Sequence, residues 1–75
     1  MDRPDIRQES PVLFRDIARS GVFPRRVSYP TVYRWAKYGK LNQSGVTVYL
    51  EYIDTPTGMA TTEEACVRFL EALNQ

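Results

Sequence analysis

The stretch Val27-Ser28-Tyr29-Pro30-Thr31-Val32-Tyr33-Arg34-Trp35-Ala36-Lys37-Tyr38-Gly39-Lys40-Leu41 decides the reading of this chain. It carries a helix start, a helix stop and two faces of different chemistry. The Ser28 hydroxyl is suited to accept from the free N–H groups of a first helical turn. Pro30 falls in that turn, where a missing N–H costs no intrahelical bond. Gly39 can take the left-handed backbone that ends a helix. Each residue turns the helix by roughly 100°, so Val32, Trp35 and Ala36 share one side with the cap. Pro30, Tyr33, Arg34 and Lys37 fall on the other. The apolar seam should fasten the helix to its own domain, with Trp35 as the packing anchor. The opposite face suits a DNA major groove, where cations meet phosphates and guanine edges.

The charge distribution agrees with that reading better than the net charge does. The 75 residues sum to only +1. Residues 15–40, however, hold Arg15, Arg19, Arg25, Arg26, Arg34, Lys37 and Lys40 against Asp16 alone, a balance of +6. Residues 41–75 hold Arg68 against Glu51, Asp54, Glu63, Glu64 and Glu71, a balance of −4. The basic charge is concentrated around the candidate recognition helix, as in the electrostatic footprint of a nucleic-acid binder.

Length and composition bound the rest. A chain this short forms one domain with a modest core. A hydrophobic content of 43% argues for a folded protein. The single cysteine, Cys66, excludes an internal disulfide, and without histidine the chain has no zinc-ligand set. No cofactor or metal is expected. There is no histidine base, no Gly-rich phosphate loop and no nucleophile motif, so an enzyme is not expected. Glu63-Glu64 reads as a helix N-terminus favoured by the macrodipole, not as a catalytic pair. No apolar run approaches the ~18 residues of a membrane helix, and the N-terminus has no apolar signal region. The expected location is cytoplasmic, in a bacterial nucleoid or encoded by a phage or mobile element.

Along the chain, residues 1–9 read as a flexible polar tail and residues 10–75 as the domain. Ser10-Pro11 reads as a helix start, though the start could fall anywhere up to Phe14. Phe14, Ile17 and Ala18 then recur at helical spacing, and Gly21 ends the helix. Phe23 and Val27 should pin the connection that follows. Asn42-Gln43-Ser44-Gly45 is a turn. Residues 46–53, Val-Thr-Val-Tyr-Leu-Glu-Tyr-Ile, form a strand-like run, and Asp54-Thr55-Pro56-Thr57-Gly58 a turn before the short returning strand Met59-Ala60. Thr61 with Glu64 fits a capping box for a last helix, with Thr62 an alternative cap. Ala65, Cys66, Phe69, Leu70 and Leu73 form its inward stripe, and Cys66 should be an inert buried side chain. The expected class is α+β, in the order helix, helix, two-stranded hairpin, helix.

Thr31-Val32-Tyr33-Arg34-Trp35, followed by Gly39-Lys40-Leu41, resembles the recognition-helix signature of excisionase-like, MerR-type winged helix-turn-helix proteins. The downstream strand, turn and Thr61-Thr62-Glu63-Glu64-Ala65 helix resemble their wing and closing helix. Small planctomycete proteins of a DUF1580-like family share the layout especially closely. The resemblance covers roughly residues 12–73. It implies a winged helix that binds DNA in site-specific recombination, phage biology or transcription. It maps the DNA-facing positions onto Tyr29, Pro30, Thr31, Tyr33, Arg34 and Lys37. One departure stands out: wings of this group usually carry Arg, whereas Asp54-Thr55-Pro56-Thr57-Gly58 holds no cation. Arg25 and Arg26 are the nearest substitutes.

The expected function is sequence-specific DNA binding by the helix 29–38. Arg34, Tyr33 and Thr31 would read bases, with Tyr29 beside them, while Arg25, Arg26, Lys37 and Lys40 hold the backbone. The partner is double-stranded DNA, joined by further copies of the chain on DNA or by an integrase-type protein. The alternative is a protein-interaction module on the same fold, with Tyr29, Tyr38, Tyr49 and Tyr52 as exposed interface anchors.

Overall fold

Trp35 sits where three parts of the chain meet. Its ring packs edge-on against Phe23 at 5.2 Å between centroids and tilted against Phe69 at 5.3 Å. Around it lies one core of Phe14, Ile17, Phe23, Val32, Ala36, Leu50, Cys66 and Phe69. The computed structural model describes residues 5–75. Helices and short antiparallel strands make up its regular structure, an α+β architecture.

The first regular element is a short 3-10 helix, Ile6–Gln8, capped by the Asp5 carboxylate accepting from the Arg7 N–H at 2.9 Å. Strand β1 (Val12–Leu13) follows, then α1 (Phe14–Ile17). The helix starts at Phe14, the late end of the expected range, and not at Ser10-Pro11. Val12 and Leu13 pair instead with Thr61 and Ala60, and that distant partner outweighs the local start signal. α1 is a little over one turn long, ends at Ile17 and hands over to turns before Gly21. It buries Phe14 and Ile17 completely.

Helix α2 (Tyr29–Lys37) forms as its sequence dictates. The Ser28 hydroxyl accepts from the Thr31 N–H, Pro30 occupies the first turn, and Val32 and Ala36 are buried. Gly39 has φ +78° and donates its N–H to the Arg34 carbonyl at 3.1 Å. Its Cα faces the next hairpin so closely that an added Cβ would lie 2.6 Å from Thr47 Cγ2 and 2.8 Å from the Val48 carbonyl oxygen.

That hairpin joins β2 (Lys40–Leu41) to β3 (Thr47–Val48). Its turn is built on Asn42, whose Oδ1 accepts from the N–H groups of Ser44 and Val46, each at 2.9 Å. A second hairpin joins β4 (Ile53–Thr55) to β5 (Gly58–Thr61), and β5 also pairs with β1, giving the order β1-β5-β4. The single strand expected over residues 46–53 is therefore two strands in two sheets. The break has a physical cause: the Leu50 N–H leaves the ladder and donates to the Trp35 carbonyl at the end of α2, 3.1 Å away, and the Leu50 side chain is buried. The returning strand is longer than Met59-Ala60.

Helix α3 (Glu63–Leu73) closes the core with Ala65, Cys66 and Phe69. Its cap is Thr62, whose hydroxyl accepts from the Ala65 N–H at 2.9 Å and donates to Glu9 Oε1 at 2.7 Å. Thr61, the other candidate, donates to the Glu51 carbonyl instead. Arg68 holds Glu9 through both terminal nitrogens, at 2.7 and 3.2 Å, and Glu51 through Nε at 2.8 Å. Residues 5–9 thus carry a turn and an ion pair to α3 where a tail was expected; residues 1–4 lie outside the described residues. At the far end of α3, Asn42, Gln43 and Ser44 donate to the carbonyls of Ala72, Leu73 and Gln75. The turn of the first hairpin so meets acceptors that a helix C-terminus leaves free.

Two expectations can be measured. Gly39 and Gly45 share nearly the same backbone, φ +78° and +81°, but a Cβ at Gly45 meets nothing within 4 Å. Both Gly→Ala changes should cost the ~1–2 kcal/mol of left-handed backbone, and Gly39→Ala should lower the melting temperature further because β3 must shift. Arg68 and Thr62 hydrogen bonds hold the Glu9 carboxyl below the ordinary glutamate range. A depressed carboxylate stabilises the fold above its unfolded pKa, about 4.3, and that stability is lost as pH falls through the folded value. Glu9→Gln should therefore melt earlier than the parent at neutral pH, with the two curves converging as pH falls through the depressed folded value.

Candidate nucleic-acid interface

α2 is held by one side, and that decides what it can offer. Val32 is fully buried, Ala36 nearly so, and Trp35 is half-buried between Phe23 and Phe69. Pro30, Arg34 and Lys37 are exposed on the opposite side. Two ridges run along this exposed surface at the four-residue spacing of a helix. Tyr29 and Tyr33 form one; Pro30, Arg34 and Tyr38 form the other. Between them lies an open depression of about 360 Å³ lined by these five residues. Tyr38 is 72% exposed and Tyr29 46%, the latter resting its ring 6.3 Å from that of Phe14.

The expected site residues differ in what they have to spare. Arg34 is exposed and makes no ion pair among the described residues. The Asp16 and Glu51 carboxylates are engaged elsewhere, Asp16 with Arg19 at 3.2 Å and Glu51 with Arg68. Tyr33, read from sequence as outward-facing, is half-buried and packs against the core while its edge joins the depression. Thr31 is half-buried, and its hydroxyl is bonded to that of Ser28 at 3.0 Å. Lys37 donates to the Tyr52 hydroxyl at 3.1 Å, which raises its pKa above that of an ordinary lysine. It is a cation with a fixed position.

Arg25 and Arg26 are exposed in the α1–α2 connection. With Arg19 they rim a second open concavity of about 610 Å³, floored by Ala18, Phe23, Pro24 and Val27. Lys40 is exposed on β2. The structure thus brings Tyr29, Tyr33 and Arg34 together, joins Arg25 to Arg26, sets Lys37 on Tyr52, and leaves Lys40 on the neighbouring hairpin.

Two residues escaped the sequence reading. Tyr52, expected as an exposed anchor, is half-buried, packs edge-on against Phe14 at 6.2 Å and holds Lys37; its neighbours come from distant parts of the chain. Arg19 belongs with Arg25 and Arg26 in the concavity although it is paired with Asp16. Cys66 is fully buried, and desolvation pushes its thiol up to about 12, so it is neither thiolate nor accessible at neutral pH. Among the described residues no cluster of His, Cys, Asp and Glu could hold a metal ion, and no helix is long and apolar enough to cross a membrane. Comparison with protein-family models, curated proteins and solved structures finds no match to this chain.

Proposed function

We propose that this chain is a sequence-specific DNA-binding protein of the winged helix-turn-helix kind, excisionase-like or transcription-regulator-like in role. α1 and α2 form its helix-turn-helix, α2 enters the major groove, and β4–β5 is the wing. The observation that carries this reading is the one-sided attachment of α2 with an exposed, unpaired Arg34 at the centre of its free face. Supporting it, the other cations without an ion pair among the described residues, Arg15, Arg25, Arg26, Lys37 and Lys40, also belong to the segment 15–40.

Roles follow from chemistry. Arg34 can donate two N–H groups to guanine O6 and N7. Arg25, Arg26, Lys37 and Lys40 supply point or fork charges to phosphates, which adds affinity without sequence information. One such domain covers a small interface, so tight binding calls for a second copy on the DNA or for a partner such as an integrase-type protein. A second reading, a protein-interaction module, is favoured by α3, whose outer face shows Glu63, Glu64, Val67 and Glu71.

Titration with duplex DNA at two salt concentrations separates these readings. Duplex binding should weaken steeply with salt, whereas a pure protein-interaction module binds no duplex. Arg34→Ala should keep the fold by circular dichroism and lose ~1–3 kcal/mol of affinity at particular sequences, while Lys40→Ala weakens all sequences alike and lowers the salt slope by about one. The wing offers a further check. Asp54 is exposed, opposite Met59, with no cation between it and the turn. Asp54→Lys should tighten non-specific binding at low salt, the gain fading as salt rises; an unchanged titration would remove the wing from the DNA contact.

A further inference from the structure

Resting on the DNA reading, we infer that the free face of α2 recognises pyrimidine 5-methyl groups beside a guanine, with thymine as their source. The argument begins with what the helix lacks. Tyr29–Lys37 contains no Asn, Gln, Asp or Glu. Asn and Gln are the side chains that pair with adenine N6 and N7, and carboxylates are the ones that accept from cytosine N4. Neither kind of reader is present. The Thr31 hydroxyl, the one small polar group in the helix, is bonded to Ser28. Lys37 is held on the Tyr52 hydroxyl, so directional base reading falls to Arg34, and its partner is guanine.

The rest of the surface is apolar and shaped. The depression between the two ridges is walled by the rings of Tyr29, Tyr33 and Tyr38 and by Pro30, with Arg34 along one wall. Water covers these rings in the free protein, most of all at Tyr38, which is 72% exposed. The thymine C5-methyl is the apolar feature on the floor of a major groove. A guanidinium seated on guanine would carry the flanking rings onto the neighbouring pyrimidines. The hydroxyls of the exposed Tyr29 and Tyr38 then remain available to phosphates. Adenine is read at one remove, through the methyl of the thymine opposite it.

The test uses the whole chain and random-sequence duplexes enriched by repeated capture on it. The enriched duplex is resynthesised with deoxyuridine at every thymine, which removes the methyl and leaves each Watson–Crick pair in place. Affinity should fall about fourfold for each methyl in contact, as burial of one methyl group predicts, with the salt slope unchanged. Tyr38→Ala is the companion variant, chosen because its exposure spares the fold. It should bring the thymine and uracil duplexes closer in affinity. A third duplex, with 5-methylcytosine replacing cytosine, identifies the source of the methyl. No gain there assigns it to thymine; a gain overturns thymine as the sole source. Equal affinity for the thymine and uracil duplexes, with salt-dependent binding intact, overturns methyl recognition and leaves the DNA reading standing. Absence of salt-dependent binding to any duplex overturns both.

Discussion

Trp35 ties together elements that have little else in common. Its ring joins the α1–α2 connection, through Phe23, to α3, through Phe69. Its carbonyl, near the C-terminal end of α2, takes the N–H of Leu50 and so draws the chain out of the β2–β3 hairpin into the core. The orientation of α2 depends on this junction. Val32 and Ala36 bury one side of the helix, and Trp35 fixes its rotation, leaving Pro30, Arg34 and Lys37 in water. Removing the indole would cost about 3 kcal/mol, a large part of what so small a core supplies.

Around that junction the charges fall into two groups. Arg68 is enclosed by Glu9 and Glu51, and Lys37 is set on Tyr52; these cations order neighbouring segments. Arg15, Arg25, Arg26, Arg34 and Lys40 make no side-chain ion pair among the described residues. The carboxylates of Asp54, Glu63, Glu64 and Glu71, all in the second half of the chain, likewise make none. Near-neutral net charge therefore conceals a chain of two unlike halves, a basic one that carries α2 and an acidic one that ends in α3. Long-range attraction to a polyanion depends on such a distribution more than on its sum.

What could be read from sequence were the features whose causes are local. α2 is specified within residues 28–39: a serine cap, an early proline, an apolar seam and a terminal glycine act over one or two turns. The stripe of α3 is of the same kind. The elements that could not be read are those settled by distant partners. Val12 and Leu13 follow a plausible helix start and pair with β5. Residues 46–53 have strand composition throughout, yet Leu50 finds a better acceptor in Trp35. Glu9 gives no local hint of Arg68, 59 positions on. The candidate site divides in the same way. The exposure of Arg34 follows from helix geometry alone, whereas the engagement of Lys37 by Tyr52 and of Tyr33 by the core needs the tertiary arrangement.

The burial of Cys66 has a practical consequence. It is the chain's one cysteine, fully enclosed on α3 against the core, with its thiol held far from ionisation. A thiol reagent can reach it only when α3 lifts away or the whole domain opens. Its alkylation rate at fixed pH is thus a gauge of how often the core breathes, read from a single position without an added label. Measured with and without added duplex DNA, that rate tests whether binding to the proposed α2 face slows opening at α3.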